Sequence, residues 1–234
     1  GFQDALLAGS PCELVFYGNP IQSIGPEISR SMLDMTALIA KPWLFSQTDT
    51  DPRTATGARL RWGVIATGGI AASVTRDLEL LADAELYAVS SRTQAAADAF
   101  ASDFGFARAY GDQNGQTGYE RLLANDAVDV VYVATPQAHH HEIALAAQTA
   151  GKHVLCEKAL TVNAREASEL VSLARANGLF LMEAMWSRFL PSMQRAFEIA
   201  ASGEIGEVKW VGADLGFPAP YSPASRLWAP KDGG

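Results

Sequence analysis

Between residues 60 and 182 the chain alternates short apolar runs with longer segments in which apolar residues recur every three to four positions. The short runs have the length of β-strands, and the longer segments have the period of amphipathic helices. In the first helical segment, for example, Val74, Leu78 and Leu81 share one face. We predict strands at 60–66, 85–90, 107–110, 128–134, 153–156 and 179–182, and helices at 70–81, 95–104, 119–123, 141–150 and 164–176.

The run from Val128 to Ala134, "VDVVYVA", is apolar on both faces of a strand. Strands of this kind lie inside parallel sheets that are covered by helices. Together with the regular strand–helix alternation, it predicts a doubly wound α/β domain over about 59–182. In such sheets ligands bind at the carboxyl ends of the strands. The residues that follow each strand are therefore the candidate site.

The segments on either side of this domain differ from it in character. Residues 1–58 mix apolar pieces with turn signals and contain a possible helix from Pro26 to Ile39 and a linker-like stretch before the first strand. After the domain we predict a helix at about 188–202 and a strand at about 207–217. Residues 1–58 are thus an unassigned extension, and residues 183–234 begin a second, α+β domain.

Composition narrows the classes of partner. The chain has 234 residues, with 26 acidic against 18 basic residues and a net charge of −8. This balance disfavours nucleic acid and anionic membrane, so we expect a small soluble ligand. No apolar run approaches the roughly 20 residues of a membrane span. Because Cys12 and Cys156 are the only cysteines, we expect no disulfide framework and a reducing, cytoplasmic location.

The turn after the first strand resembles a dinucleotide fingerprint. Aligned to G-x-G-x-x-G/A, it places Ala66, Gly68 and Ala71 at the three small-residue positions. A side chain at Gly68 would block a pyrophosphate from the amides of the helix N-terminus. The alternative is an ordinary strand–helix turn. The residues expected to contact a cofactor here are Thr67, Gly68, Gly69 and Ile70.

The second strand ends in Ser91-Arg92-Thr93 without an acidic residue. NAD-binding domains place a carboxylate there for the ribose 2′-hydroxyl. An arginine fork and a serine hydroxyl suit the 2′-phosphate of NADP instead. NADP is therefore favoured over NAD. The alternative is that Arg92 is a solvated residue before a helix whose N-cap is Thr93.

The run His139-His140-His141 follows Thr135-Pro136 at the end of the buried strand. Consecutive residues point in different directions, and no second His or Cys stands at the spacing of zinc ligands, so we expect no metal site. These histidines are more consistent with the edge of a ligand crevice.

The strand "HVLC" ends in Glu157 and Lys158. A charged pair at the carboxyl end of a buried strand faces the ligand crevice, although a solvated strand end is the alternative. A lysine there can hydrogen-bond the oxygen of an alcohol that loses a hydride and can act as its base. We expect partial burial to lower the pKa of Lys158 and Glu157 to hold its orientation.

Four stretches together resemble the Gfo/Idh/MocA oxidoreductase family, and within it the branch of dihydrodiol and NADP-dependent D-xylose dehydrogenases. They are "LRWGVIATGGIA", "AVSSR", "VDVVYVATPQAHHHEIALAAQTAGKHVLCEKAL" and "GLFLMEAMWSRFLP". The resemblance implies a Rossmann NADP-binding domain over 59–182, followed by the beginning of a substrate and dimerisation domain. It also implies hydride transfer between nicotinamide and a sugar, polyol or trans-dihydrodiol hydroxyl, and a possible homodimer.

The resemblance assigns roles to individual residues. It implies that Lys158 lies near both the nicotinamide and the substrate carbon as the catalytic group, and that Arg92 holds the 2′-phosphate. By the same resemblance His140 borders the cofactor. The remaining cofactor contacts are Ser91, Thr135, Pro136 and Glu157, and the substrate residues are Trp186 and Arg188.

Three features depart from the family pattern. Ala159 stands where the family usually has proline, which presets the backbone after the lysine. Residues 112–118, "DQNGQTG", are longer than the family's turn, and we expect a surface loop of little consequence.

The family's substrate domain extends past the point that corresponds to Gly234. A chain of this extent is therefore expected to bind cofactor weakly and to turn over little. The alternatives to an enzyme are a non-catalytic NADP-binding or regulatory protein and an inactive truncated gene product.

Overall fold

A computed structural model of the chain describes residues 58–214, 216, 218, 221, 222 and 228. The possible helix at 26–39, and all else predicted for residues 1–57, lies outside them. Short 3-10 turns lie at Gln137–His139 and Trp186–Phe189. The strands and helices are β1 (Leu60–Ile65), α1 (Gly69–Leu78), β2 (Ala84–Ser90), α2 (Gln94–Phe104), β3 (Arg108–Tyr110), α3 (Gly118–Leu123), β4 (Val130–Val133), α4 (His140–Thr149), β5 (His153–Glu157), α5 (Ala164–Asn177), β6 (Leu181–Ala184) and α6 (Pro191–Ser202).

The described strands form one six-stranded sheet in the order β3-β2-β1-β4-β5-β6. All neighbouring strands pair in parallel. This is the order of a doubly wound nucleotide-binding fold, in which the strand sequence reverses between β1 and β4. The predicted Rossmann fold is confirmed. The carboxyl ends of all six strands therefore lie at one edge of the sheet.

The packing of the core shows why the apolar runs of the sequence form the central strands of the sheet. In β4, Val131 and Val133 are fully buried and pack with residues of α3, α4 and α5 on one face of the sheet. Gly63 of β1 allows this packing, because a methyl group there would lie 2.9 Å from Cδ2 of Leu122. The main cluster of this face contains Ile65, Ala88, Leu122, Leu123, Val128, Val131, Val133, Ile143, Ala144, Ala147, Val154, Cys156 and Leu170.

Polar caps set where several helices begin and end. The Thr93 hydroxyl accepts from the Ala96 amide at the start of α2, and Thr117 with Glu120 forms a capping box at the start of α3. Gly178 ends α5 in the left-handed conformation. Because the Leu179 amide donates to Ala174 O in that C-terminal turn, β6 begins at Leu181 rather than at the predicted residue 179.

The described residues up to 185 form one compact unit, and residues 186–221 belong to a second. The second unit contains α6, which matches its prediction. The predicted strand at 207–217 is wrong for the residues described there, because 207–214 take no regular structure. Trp210 and Val211 are 83% and 77% exposed. A strand needs a hydrogen-bonded neighbour, and no described segment pairs with this one.

Candidate functional site

The turn between β1 and α1 opens the N-terminus of a helix to ligands. Gly68 is the N-cap of α1, with extended backbone and no side-chain cap. A methyl group added at Gly68 or at Gly69 would meet no atom of the described residues within 4 Å. The amides of the first helical turn therefore face open space, and such amides bind phosphate groups. The structure fits the predicted pyrophosphate position at Thr67, Gly68, Gly69 and Ile70.

A cleft of about 640 Å³ begins at this turn and continues between α1 and α2. Arg76 lines it, with its guanidinium carbon 5.6 Å from the centre of the Phe104 ring. None of the cleft's lining residues lies at the carboxyl end of β4 or β5. The cleft therefore leads to the turn between β1 and α1, and it does not include the residues around Lys158.

The end of β2 contacts the phosphate turn directly. The Thr67 and Ser91 hydroxyl oxygens are 3.0 Å apart and share a hydrogen bond. Arg92 is exposed, and its guanidinium makes no hydrogen bond or ion pair with the described residues. Thr93 caps α2 as the alternative interpretation supposed. An exposed arginine thus directly follows one of two hydrogen-bonded hydroxyl groups in the chain, and these residue types fit a phosphate monoester.

Residues 112–118 pack against this end of β2. The Asp112 amide lies 3.4 Å from Arg92 O, and a methyl group at Gly118 would lie 2.6 Å from Ser91 O. A tight turn at Asn114 and Gly115 closes the loop, with both residues at positive φ. The expectation of a loop of little consequence needs correction, since its base supports Ser91 and Arg92 through close backbone packing.

The segment after β4 holds a buried histidine. Thr135 is half-buried and Pro136 is exposed. His140 is 1% exposed, with Nδ1 2.8 Å from Ala159 O and Nε2 2.9 Å from Thr135 O. Both neighbours are carbonyl oxygens, which only accept, so a neutral ring donates to one of them and a doubly protonated ring donates to both. The ring contacts the ends of both β4 and β5. Its predicted place beside a cofactor, like those of Thr135 and Pro136, stays a prediction.

The other two histidines point elsewhere. His139 is exposed, and His141 Nε2 lies 3.0 Å from Glu169 Oε2. Among residues 58–214 and the few described beyond them, no three His, Cys, Asp or Glu side chains converge as metal ligands would.

Glu157 is buried, with 6% exposure. Its Oε1 accepts a hydrogen bond of 2.7 Å from the Tyr132 hydroxyl, and its Oε2 accepts one of 3.2 Å from the Lys158 amide. Burial raises the pKa of the Glu157 carboxyl, and the Tyr132 hydrogen bond opposes that rise. Glu157 therefore holds the backbone of Lys158, and its predicted role in the orientation of Lys158 stays a prediction.

Lys158 itself is exposed, so the expected partial burial is not found. Its ammonium group makes no hydrogen bond or ion pair within the described part of the chain. The peptide bond between Lys158 and Ala159 is cis. A free amino group thus stands at the carboxyl edge of the sheet, next to the strand end that His140 joins to β4.

Three residues near Lys158 were missed in the sequence. Tyr132 holds Glu157, Glu183 Oε1 accepts a hydrogen bond of 2.9 Å from the Leu160 amide, and Gln137 Nε2 donates to Thr161 O at 3.0 Å. The available signal was a polar side chain inside an otherwise apolar strand, which Tyr132 and Glu183 both are.

Trp186 and Arg188 lie in the 3-10 turn of the second unit. Trp186 is half-buried and Arg188 is exposed. Their predicted role in binding substrate stays a prediction. As a separate observation on the described helices, none is long and apolar enough to cross a bilayer.

Comparison with known proteins gives three levels of similarity. The model of an oxidoreductase family with an NAD-binding Rossmann fold, Gfo/Idh/MocA, matches residues 60–185. The chain is 40% identical over 177 residues to trans-1,2-dihydrobenzene-1,2-diol dehydrogenase of Mus musculus, covering 75% of this chain and 51% of that protein. It is 44% identical over 168 residues to D-xylose 1-dehydrogenase (NADP(+)) of Hypocrea jecorina, covering 67% and 41%.

Among solved structures, the chain is similar to KijD10, a 3-ketoreductase from Actinomadura kijaniata in complex with NADP and TDP-benzene. The TM-score is 0.56 at 35% identity, over 62% of this chain and 42% of that one. The chain spans about half the length of the diol dehydrogenases it matches. The family match runs from β1 to Met185 and includes the open α1 N-terminus, Arg92 and Lys158. The chain therefore belongs to the Gfo/Idh/MocA family of oxidoreductases.

Proposed function

We propose that this protein is an NADP-dependent oxidoreductase that moves a hydride between nicotinamide and a hydroxyl-bearing carbon of a sugar, polyol or trans-dihydrodiol. The observation that carries the proposal is the free amino group of Lys158 at the same sheet edge as the uncapped N-terminus of α1. The first group suits proton transfer and the second suits a pyrophosphate. The names of the similar diol and xylose dehydrogenases support the substrate class.

The cofactor would lie across the carboxyl ends of three strands. Gly68 and Gly69 after β1 leave room for the pyrophosphate, and Thr67 and Ile70 flank it. Ser91 and Arg92 after β2 would take the 2′-phosphate, which favours NADP over NAD. Beyond the switch point between β1 and β4, the nicotinamide side would be bordered by Thr135, Pro136, His140 and Glu157.

Lys158 is the proposed catalytic residue. Oxidation of an alcohol releases a proton as well as a hydride, and bound NADP would supply the hydride acceptor. The Lys158 amino group would hydrogen-bond the substrate oxygen and take or relay its proton. We also propose that residues 183–234 begin the substrate domain, with Trp186 and Arg188 contacting the substrate.

A fluorescence titration with NADPH and NADH tests the cofactor proposal. We expect Arg92→Ala to weaken NADPH binding and leave NADH binding unchanged, because one charge-assisted contact contributes about 1.5–3 kcal/mol. That corresponds to a change on the order of tenfold to more than a hundredfold in affinity. Arg165→Ala, at another exposed arginine, is the control. Equal affinity of the wild type for both cofactors would contradict the proposal.

A turnover assay with D-xylose and a trans-dihydrodiol tests the chemistry. In any form of the protein that turns over, Lys158→Ala should lower kcat by about 10² to 10⁴, the usual contribution of an acid–base group, while NADPH affinity stays near normal. Lys209→Ala, at an exposed lysine, is the control. NADPH binding without turnover of any alcohol in a broad panel would instead favour the non-catalytic, regulatory alternative.

A further inference from the structure

Three consecutive residues after β5 each have one backbone polar group in contact with a different side chain. The Lys158 amide donates to Glu157 at 3.2 Å. The Ala159 carbonyl lies 2.8 Å from His140 Nδ1. The Leu160 amide donates to Glu183 at 2.9 Å. These contacts surround the α-carbon of Lys158 with side-chain hydrogen bonds.

The side chains come from separate parts of the sheet. Glu157 ends β5, His140 begins α4, and Glu183 lies on β6. His140 is also 2.9 Å from Thr135 O after β4, and Tyr132 of β4 fixes Glu157. The position of Lys158 is therefore tied to β4, β5 and β6 at once.

The amino group of the same residue has no described partner, and Ala159 is exposed. Ala159 also lacks a ring that would restrict its own φ. The backbone of this segment is thus held from outside while the end of the lysine side chain is left free. A catalytic lysine needs a fixed backbone, so that its amino group is placed correctly, and a free amino group, so that it can meet the reacting atom.

We propose that Glu183 and His140 are positioning residues that place Lys158 against the nicotinamide and the substrate carbon. This inference rests on the proposed function of Lys158. Glu183 holds the backbone on the β6 side and His140 holds it on the β4 side. Loss of either contact lets the lysine move, and a displacement of about 1 Å can cost roughly 100-fold in rate.

The test compares variants that keep or remove each contact. Glu183→Ala removes the acceptor for the Leu160 amide, whereas Glu183→Gln retains a side-chain oxygen there. His140→Ala removes the bridge between Thr135 and Ala159. His141→Ala is the matched control, because the neighbouring histidine contacts only the exposed Glu169 among the described residues.

The readout is acetylation of Lys158 by acetic anhydride, measured by mass spectrometry with and without NADP⁺. Full occlusion by NADP⁺ at about ten times its Kd would slow the reaction by roughly tenfold. We expect this protection in the wild type, Glu183→Gln and His141→Ala. In Glu183→Ala and His140→Ala it should fall below about twofold at the same ratio of NADP⁺ to Kd. Lys152, whose amino group is held by two carbonyl groups, is the unreactive internal reference.

Each outcome decides something different. Lack of protection in the wild type overturns the place given to Lys158 and this inference with it. Full protection in both Glu183→Ala and His140→Ala overturns the inference alone. A purely structural role would lower the melting temperature of Glu183→Ala and His140→Ala while NADP⁺ still protected Lys158 fully at the same ratio of NADP⁺ to Kd, and that result would also overturn it. If either alanine variant fails to fold, the other variant decides the test.

Discussion

Ala66 occupies the first glycine position of the fingerprint and has a φ of 106°. This conformation favours glycine, and a residue with a Cβ there is strained by about 1–3 kcal/mol. Glycine costs about 0.4–1 kcal/mol more than alanine in unfolded-chain entropy. We therefore predict that Ala66→Gly stabilises the protein by about 1 kcal/mol and raises Tm by about 2–4 °C in calorimetry.

The matched control for this prediction is Ala72→Gly, inside α1. Glycine in a helix interior should lower the free energy of unfolding by about 0.5–1 kcal/mol. A Tm of Ala66→Gly at or below that of the wild type would show that the turn relieves the strain in another way.

Asp77 is a second residue whose environment lowers the stability of the folded protein. It is 3% exposed, and its Oδ2 atom has no hydrogen-bond partner among the residues that the structure describes. Burial raises its pKa from 3.8 to about 7. Between these two values the folded protein binds more protons than the unfolded chain, so the free energy of unfolding falls as pH rises through this window.

Asp77→Asn should remove this pH dependence. Above pH 7 we expect the variant to be more stable than the wild type by about 1–3 kcal/mol, because no unpaired charge is buried. Near pH 4 the two proteins should differ little from this cause. Urea unfolding at a series of pH values measures the difference. A constant difference across the series would mean that Asp77 does not titrate in this window.

At the scale of elements, the loop at 112–118 supports the end of β2. A methyl group at Gly118 would lie 2.5 Å from Tyr110 O and 2.6 Å from Ser91 O. Gly118→Ala must therefore displace backbone, which we expect to cost about 1–3 kcal/mol of stability. Because Ser91 precedes Arg92, the variant should also weaken NADPH binding in a fluorescence titration.

Thr117→Ala separates the two effects of that change. It removes the capping box of α3 and should cost about 1 kcal/mol without touching Ser91. NADPH affinity should stay at the wild-type value in this control. Equal losses of affinity in both variants would indicate that general destabilisation of α3, rather than displacement of Ser91, is responsible.

The elements show which parts of the fold can be predicted from sequence. β4 was predictable because buried parallel strands are apolar on both faces. The boundary of β6 was not, since the hydrogen bond from Leu179 to Ala174 depends on how α5 ends. The strand at 207–217 shows a further limit, because an apolar run becomes a strand only beside a partner.

The candidate site divides in the same way. The phosphate turn and Arg92 follow from local sequence, since each is placed by the strand before it. The role of Glu183 depends on register, because pairing of β5 with β6 sets Glu183 opposite Cys156 and within reach of Leu160. The burial of His140 likewise depends on the approach of two loops that are 19 residues apart in the chain.

At the scale of the whole molecule, the proposed cofactor contacts are distant in sequence and meet only through the sheet. They follow β1, β2 and β4 at residues 67–70, 91–92 and 135–136. Because Pro136 has no amide hydrogen, the third segment is followed through the amide of Thr135. We predict that NADP⁺ slows amide hydrogen exchange in all three segments together, because one extended ligand would cross all three strand ends. NAD⁺ should give a weaker effect at 91–92, since it lacks the 2′-phosphate that Arg92 would bind.

The amides of 207–214 provide the internal reference, because this segment takes no regular structure and is expected to exchange rapidly in every sample. Exchange by mass spectrometry measures each segment separately. Slowing at 67–70 without slowing at 135–136 would mean that the ligand stops at the phosphate turn, and Lys158 would then have no nicotinamide beside it.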